Sequence, residues 1–524
     1  MDFGEHLLSS GAKPSQNSAS RERQVLARNA LFSSFSWMAS VVSNLLTIPI
    51  MVYFLGREGY GVYALLTGLF GYFSLMDLGM GQGVVKYVSQ YSGMNDPVAM
   101  NHLINASLLA QLGLGSLGVI LLWTFNEAIV DLLNVSEALR PDARTGLYVS
   151  SVGFLVTMLM ANYSNALQGL QCYDLVGKAN LILSLSTTLA TIIALVLGVG
   201  LTEIIWISLA GTVSTSIVLV LLLKRAFPKY RFSWKVPFDY LKLLTTFGNY
   251  MLISRVAHIL NTYFVRYIVA VFLGPAAVTL VLVPTKLLSF LQGGINSLAA
   301  VVLPFASRYI SQDHTEEFRL VYLRASKVLT SLFLPLFIYL IVYSKEILTI
   351  WMGPDFAEDA WIVQVLLGFT YLLSAFTILP TNTILGIGQL KVVAYFAVGT
   401  VVTNLATCAY MVARFGVIGA AVAVLCTQVF ALPFVWYVTT RQLSIPWKTF
   451  LRESVQPATS LSLWFLAFSL VALVLFRSLA WGEAIPPLVF GMLLIGAYLF
   501  AARKRGLVPS ISIHQLIRLY WPQL

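Results

Sequence analysis

Charge is what this sequence has least of. Only 10% of its 524 residues are Asp, Glu, Lys or Arg, against about 25% in ordinary soluble domains. Too few polar side chains remain to coat a soluble body of this length, so the chain reads as a polytopic membrane protein. Cysteine is scarcer still. Cys172, Cys408 and Cys426 are odd in number and scattered in or beside apolar segments, which excludes a disulfide framework and gives no metal-ligand spacing. No cofactor is expected. The stretch up to Arg28 lacks the apolar core of a cleaved signal peptide, and 1–29 reads as a polar cytoplasmic tail. The loops carry no Asp-x-Asp pair, and the longest outer segment expected is only 125–144. A membrane glycosyltransferase or glycan polymerase needs a water-exposed site of that kind, so the chain reads as a non-enzyme.

What the sequence has in excess is apolar length: 58% of residues are hydrophobic and the mean hydropathy is +0.81. Fourteen apolar segments lie between Ala30 and Ala502, each near or above the roughly 17 residues that a spanning helix needs. The expected fold is all-α. Starting in the cytoplasm puts 24 of the 33 Lys and Arg on cytoplasmic segments and 6 outside, the asymmetry of the positive-inside rule. The even helix count returns the C-terminus to the cytoplasm. The net charge of +11 therefore reports topology, and no nucleic-acid partner is implied.

A repeat organises these segments. Phe54, Leu55 and Gly56 align with Phe272, Leu273 and Gly274, and the same offset pairs Asn165 with Asn382, Gly169 with Gly386 and Gly198 with Gly416. A steady spacing of about 218 positions predicts a duplicated six-helix unit. Each unit has an even number of helices, so the two are parallel, related by a pseudo-twofold axis along the membrane normal. The expected division is a six-helix lobe over 30–224, a basic cytoplasmic linker over 225–246, a second lobe over 247–440, and helices 13 and 14 with an interfacial tail over 441–524. The substrate path is expected between the lobes.

Inside this apolar sequence one segment carries cations. Over 247–273, taking about 100° per residue, Arg255 and Arg266 fall about 20° apart, with His258 and Thr262 flanking the same line. Charge within the hydrocarbon is costly and marks function. A guanidinium donates two parallel hydrogen bonds to phosphate, so the stripe is expected to bind a buried anion. The alternative is that Arg255 and Arg266 snorkel to opposite membrane faces and His258 is satisfied inside the bundle. Lys286 follows Pro284 in the next segment, where no loop holds it in water. It is a cavity cation or the partner of a carbonyl or acid.

Residues 54–90 carry a resemblance. Leu55, Gly56, Glu58, Tyr60 and Gly61, followed by Asp77, Leu78, Gly79 and Gly81, are similar to the oligosaccharide (O-antigen type) flippases of polysaccharide biosynthesis. That family belongs to the superfamily of multidrug, oligosaccharidyl-lipid and polysaccharide exporters. The glycines at 79, 81 and 83 also predict that the second helix loosens there. The resemblance implies a bacterial inner-membrane protein that moves undecaprenyl-diphosphate-linked oligosaccharide to the periplasmic leaflet by alternating access. It further implies that helices 1, 2, 7 and 8 line a cationic cavity. Carried residue by residue, that assigns substrate binding to Asn44, Lys86, Arg255, His258, Arg266 and Lys286, and gating or coupling to Asp77. Membrane lipids are expected partners; coupling to H+ or Na+ and docking of other polysaccharide-synthesis membrane proteins stay open. An ion-coupled drug or metabolite exporter is the alternative within transport, disfavoured because cationic drugs need acids in the membrane.

Overall fold

The computed structural model describes residues 42–43, 45–68, 79–300, 315–478 and 484–507. Asn44 and Asp77 lie outside the described residues, as do the side chains of Arg255 and His258, whose backbone is helical. Among the described residues every regular element is a helix, and ten helices are long and apolar enough to cross a membrane.

The first lobe comprises α1 (45–55), α2 (57–68), α3 (Met80–Gly93), α4 (Pro97–Thr124), α5 (Asn126–Leu132), α6 (Arg140–Gly169), α7 (Tyr173–Val196) and α8 (Leu201–Ala226). The second comprises α9 (Phe238–Leu273), α10 (Pro275–Ala300), α11 (Thr315–Val342), α12 (Ser344–Met352), α13 (Pro354–Gly386), α14 (390–415) and α15 (417–437). Two further helices follow, α16 (Trp447–Ser478) and α17 (Ile485–Lys504).

The duplication is written in the backbone. Left-handed φ values occur at Gly56 and Gly274 (73° and 82°), Asn134 and Gly353 (53° and 92°), Gln171 and Gly388 (62° and 82°), and Gly198 and Gly416 (80° and 59°). Each pair keeps the spacing of the sequence repeat to within one position. These are the reversals between successive helices, where most side chains clash with the backbone and glycine does not. The short helices α5 and α12, unforeseen from the sequence, begin at Asn126 and Ser344, which the same spacing relates.

Several boundaries differ from expectation for identifiable reasons. Helix α4 starts at Pro97 because the Asp96 carboxylate accepts from the amides of Val98 (3.1 Å) and Ala99 (2.9 Å), satisfying donors that the first turn leaves free. Helix α9 starts at Phe238, so the end of the expected linker is helical. Of the three glycines expected to loosen the second helix, Gly79 turns left-handed (φ 74°), whereas Gly81 and Gly83 lie inside α3. The linker is docked on the first lobe. Asn105 Nδ2 donates to Arg231 O (2.8 Å) and Arg231 N to Asn101 Oδ1 (3.0 Å). Burial, with Tyr163 close by, raises the Tyr230 pKa well above its ordinary value and keeps it a neutral donor.

The lobes meet at the end of the bundle that carries Gly56 and Gly274, and the contact is reciprocal. Thr279 Oγ1 donates to Arg57 O (2.7 Å), while Gly61 lies so close to Pro275 that a Cβ would overlap the Pro275 carbonyl. Position 279 is the repeat partner of 61, and 275 of 57. The same contact is thus made twice around the pseudo-twofold axis, once by a hydroxyl and once by the absence of a side chain. Around it, Ile48, Met51 and Tyr60 share a buried cluster with Val283, Leu348, Phe356 and Ala360. Trp351 Nε1 donates to Leu45 O (2.8 Å), and Arg57 pairs with Asp359 (2.5 Å).

Helices α16 and α17 pack on the second lobe. Tyr343 donates to Ser469 O (3.3 Å), Tyr339 to Leu488 O (3.2 Å), and Arg477 binds the buried Glu346 carboxylate (2.6 Å). Substituting Gly61 by Ala should lower the thermal midpoint in detergent by about two degrees, an overpacking cost of about 2 kcal/mol. Gly113→Ala, where a Cβ meets open space, should leave the midpoint unchanged or raise it.

Candidate functional site

A cavity of about 580 Å³ opens between the first lobe and helices α9 and α10. Two of the expected cations line it, Arg266 from α9 and Lys286 from α10. Around them stand Tyr60 and Tyr63 of α2 and Tyr263 of α9. The Arg266 guanidinium lies over the Tyr263 ring, 5.0 Å from its centroid. Such a cation–π contact holds the group without neutralising it. Tyr267, the next residue, donates to Leu65 O (2.9 Å) and ties α9 to α2. Among the described residues neither Arg266 nor Lys286 has a carboxylate within 4.0 Å. The cations keep their capacity for an anionic guest.

Lys86 does not line this cavity. It is exposed on α3 with its ammonium 4.7 Å from the Tyr87 ring centroid. Glu58, one of the residues that carry the family resemblance, serves the structure: its carboxylate accepts from Ser136 N (2.8 Å) and fixes the turn into α6.

Sequence reasoning missed most of the wall. From α7 come Asn180, Ser184, Thr187, Thr188 and Thr191, and from α8 Ser208, Gly211, Thr212 and Thr215. Their spacings are i, i+4, i+7, i+8, i+11 and i, i+3, i+4, i+7, a single face on each helix. That periodicity was present to be read. It was masked because Ser and Thr in apolar helices ordinarily serve helix packing.

A family model described as "Polysaccharide biosynthesis protein" matches residues 50–361. This chain belongs to that family. The matched span includes the reciprocal contact and the cavity residues from Met51 to Lys286. Among proteins similar to it, the "Putative O-antigen transporter" of Shigella flexneri is 23% identical over 404 residues, 76% of this chain and 94% of the relative. The "Uncharacterized membrane protein EpsK" of Bacillus subtilis is 26% identical over 350 residues, 65% of this chain and 68% of the relative. Among solved structures, lipid II flippase MurJ in an inward closed conformation superposes with a TM-score of 0.68 at 18% identity, covering 91% of this chain and 99% of MurJ. An inward-facing multidrug transporter of the MATE family gives 0.66 at 16% identity, covering 79% and 98%. The family sequence is thus folded as in that exporter superfamily.

An unpaired cation in a cavity of a membrane bundle costs stability. Lys286→Met should therefore raise the thermal midpoint of the protein in detergent by a few degrees. A fall instead would mean that Lys286 holds the fold together through a partner group.

Proposed function

We propose that this protein is a flippase for polyprenyl-diphosphate-linked oligosaccharide, moving the headgroup from the cytoplasmic to the periplasmic leaflet of the bacterial inner membrane. The observation that carries the reading is the pairing of Arg266 with Lys286 in one cavity that presents no carboxylate among the described residues. A diphosphate requires positive charge and directed donors, which guanidinium and ammonium groups supply. An amphipathic cationic drug would require acids there. Family membership supports the glycan, and relatives named as an O-antigen transporter and a lipid II flippase support a lipid carrier.

The mechanism is alternating access. The positive-inside orientation assigns the Gly56 and Gly274 end to the periplasm, where Thr279 to Arg57 O, Trp351 to Leu45 O and the Arg57–Asp359 pair hold the lobes together. The ion pair is partly exposed, with side chains 33% and 54% accessible, so it contributes no more than about 1 kcal/mol. Contacts of this size close a gate without making it permanent, since a guest shifts the balance only by its differential affinity for the two states. Arg255 and His258 lie on the same helix as Arg266 and are proposed to meet the diphosphate with it. On the family resemblance, Asn44 is assigned to substrate binding and Asp77 to gating or coupling, whereas Lys86 lies outside the cavity lining.

Translocation of a lipid-linked oligosaccharide in vesicles of purified protein tests the reading. Wild type should move the lipid, and Arg266→Ala or Lys286→Ala should slow it at least tenfold at equal folded amounts; unchanged rates in both variants would remove the anion site from this cavity. The gate has its own test. With native cysteines replaced, Arg57→Cys and Asp359→Cys joined by a short cleavable cross-linker should stop transport, and cleavage should restore it. Full transport while cross-linked would show that this end does not open.

A further inference from the structure

The cavity has a second wall, and its chemistry is different. Opposite the cations, α7 and α8 present Asn180, Ser184, Thr187, Thr188, Thr191, Ser208, Thr212 and Thr215 without a charge among them. Several of these hydroxyls spend their proton on their own helix. Thr187 donates to Leu183 O (2.8 Å), Ser208 to Ile204 O (3.0 Å), Thr212 to Ser208 O (2.9 Å) and Thr215 to Gly211 O (2.8 Å). Having donated, these oxygens keep lone pairs as acceptors; Ser208 Oγ also lies 3.4 Å from the Tyr63 hydroxyl, and Thr187 Oγ1 packs against Gly211. The cationic side offers donors; this side offers neutral acceptors.

The duplicated lobe serves as an internal control. With α7 aligned to α14 on Gln171 and Gly388, and α8 to α15 on Gly198 and Gly416, Asn180 corresponds to Ala397, Ser184 to Val401, Thr188 to Leu405 and Thr191 to Cys408. Ser208 corresponds to Cys426, Thr212 to Phe430 and Thr215 to Pro433. Thr187 alone keeps a polar counterpart, Asn404. Seven of the eight wall residues thus have apolar counterparts, while the second lobe's own hydroxyls, such as Thr400, Thr403, Thr407 and Thr427, fall at other positions, so the duplicated plan does not itself dictate hydroxyls at the wall positions.

We infer that the α7–α8 wall binds the glycan of the substrate, its hydroxyl oxygens accepting hydrogen bonds from sugar O–H groups while Arg266 and Lys286 hold the diphosphate. The inference rests on the proposed flippase reading. Its chemistry is general: sugars expose many O–H donors, and a site of neutral acceptors takes them without the desolvation cost of buried charge. The wall also sets order within the cavity, with the diphosphate toward α9 and α10 and the sugars toward α7 and α8.

The test compares two probes on the full-length protein in nanodiscs: farnesyl diphosphate, and farnesyl diphosphate bearing a hexose and N-acetylhexosamine trisaccharide. Wild type should bind the sugar-bearing probe about tenfold more tightly than the bare one. The triple variant Thr188→Val, Thr191→Val, Thr215→Val should lose that preference, as expected for a few neutral hydrogen bonds, while binding bare farnesyl diphosphate within twofold of wild type. Replacing the same three by Ser, which keeps the oxygens and removes the methyls, should retain the preference. Equal loss of both probes in the Val variant, with the Ser variant likewise impaired, would make the wall structural and overturn the inference. An unchanged preference in the Val variant, or no preference in wild type, would overturn it while leaving the diphosphate site standing. If Arg266→Ala and Lys286→Ala bind the bare probe as well as wild type, the flippase reading itself fails and the wall loses its substrate.

Discussion

The reciprocal contact between the starts of α2 and α10 is the constraint around which the two lobes are arranged. Thr279 reaches the Arg57 carbonyl on one side of the pseudo-twofold axis, and the bare backbone of Gly61 meets Pro275 on the other. In a membrane there is little hydrophobic drive to join helices, because lipid tails are as apolar as leucine. Close backbone approach and hydrogen bonding must supply the association, and both are concentrated here. Because the contact is small, it brings the lobes together at one end and leaves space deeper between them. The cavity begins where the contact stops, and Tyr60, adjacent to Gly61, belongs to both.

The lobes share a backbone plan but not a surface chemistry. Left-handed turns recur at matched positions in both, so the duplication constrains where helices begin and end. It does not constrain what they present. The first lobe faces the cavity with hydroxyls and tyrosines, and the second contributes Arg266 and Lys286 through α9 and α10. Helices α16 and α17 contribute none of the described lining residues and are held to α11 and α12 through Tyr339, Tyr343 and Glu346. A symmetric scaffold that encloses an asymmetric site suits an elongated guest with a charged end and a neutral polar end.

Much of this was legible in the sequence because the governing signals are long-range averages or fixed spacings. Apolar length gave the helices, the bias of Lys and Arg gave an expected orientation, and the Gly56 to Gly274 offset gave the duplication. Lys286 and Arg266 stood out because a cation in an apolar run has few structural excuses. The hydroxyl wall did not stand out, for a physical reason. A Ser or Thr that bonds to its own helix costs almost nothing in lipid, so its presence carries no warning until the structure shows that its face borders a void. Helices α5 and α12 escaped for a related reason, since a seven- or nine-residue element makes too few turns for periodicity to register. The role of Glu58 was equally hidden, because its partner is a backbone amide 78 residues away.

The two walls also bear on how such a carrier avoids trapping its cargo. Cations that grip a diphosphate in a low-dielectric cavity gain a large interaction, and a transporter that binds one facing state too deeply stalls. The Arg266 guanidinium rests on the Tyr263 ring and has no carboxylate partner among the described residues, so a bound anion would displace no ion pair among those residues. On the proposed reading the hydroxyl wall, being neutral, would add selectivity in increments of single hydrogen bonds, each small enough to be exchanged for water. The proposed outer gate is built at the same scale, from one partly exposed ion pair and two side-chain-to-backbone hydrogen bonds. Strong charge is thereby confined to one wall, and every other contact that must change during transport is weak enough to change.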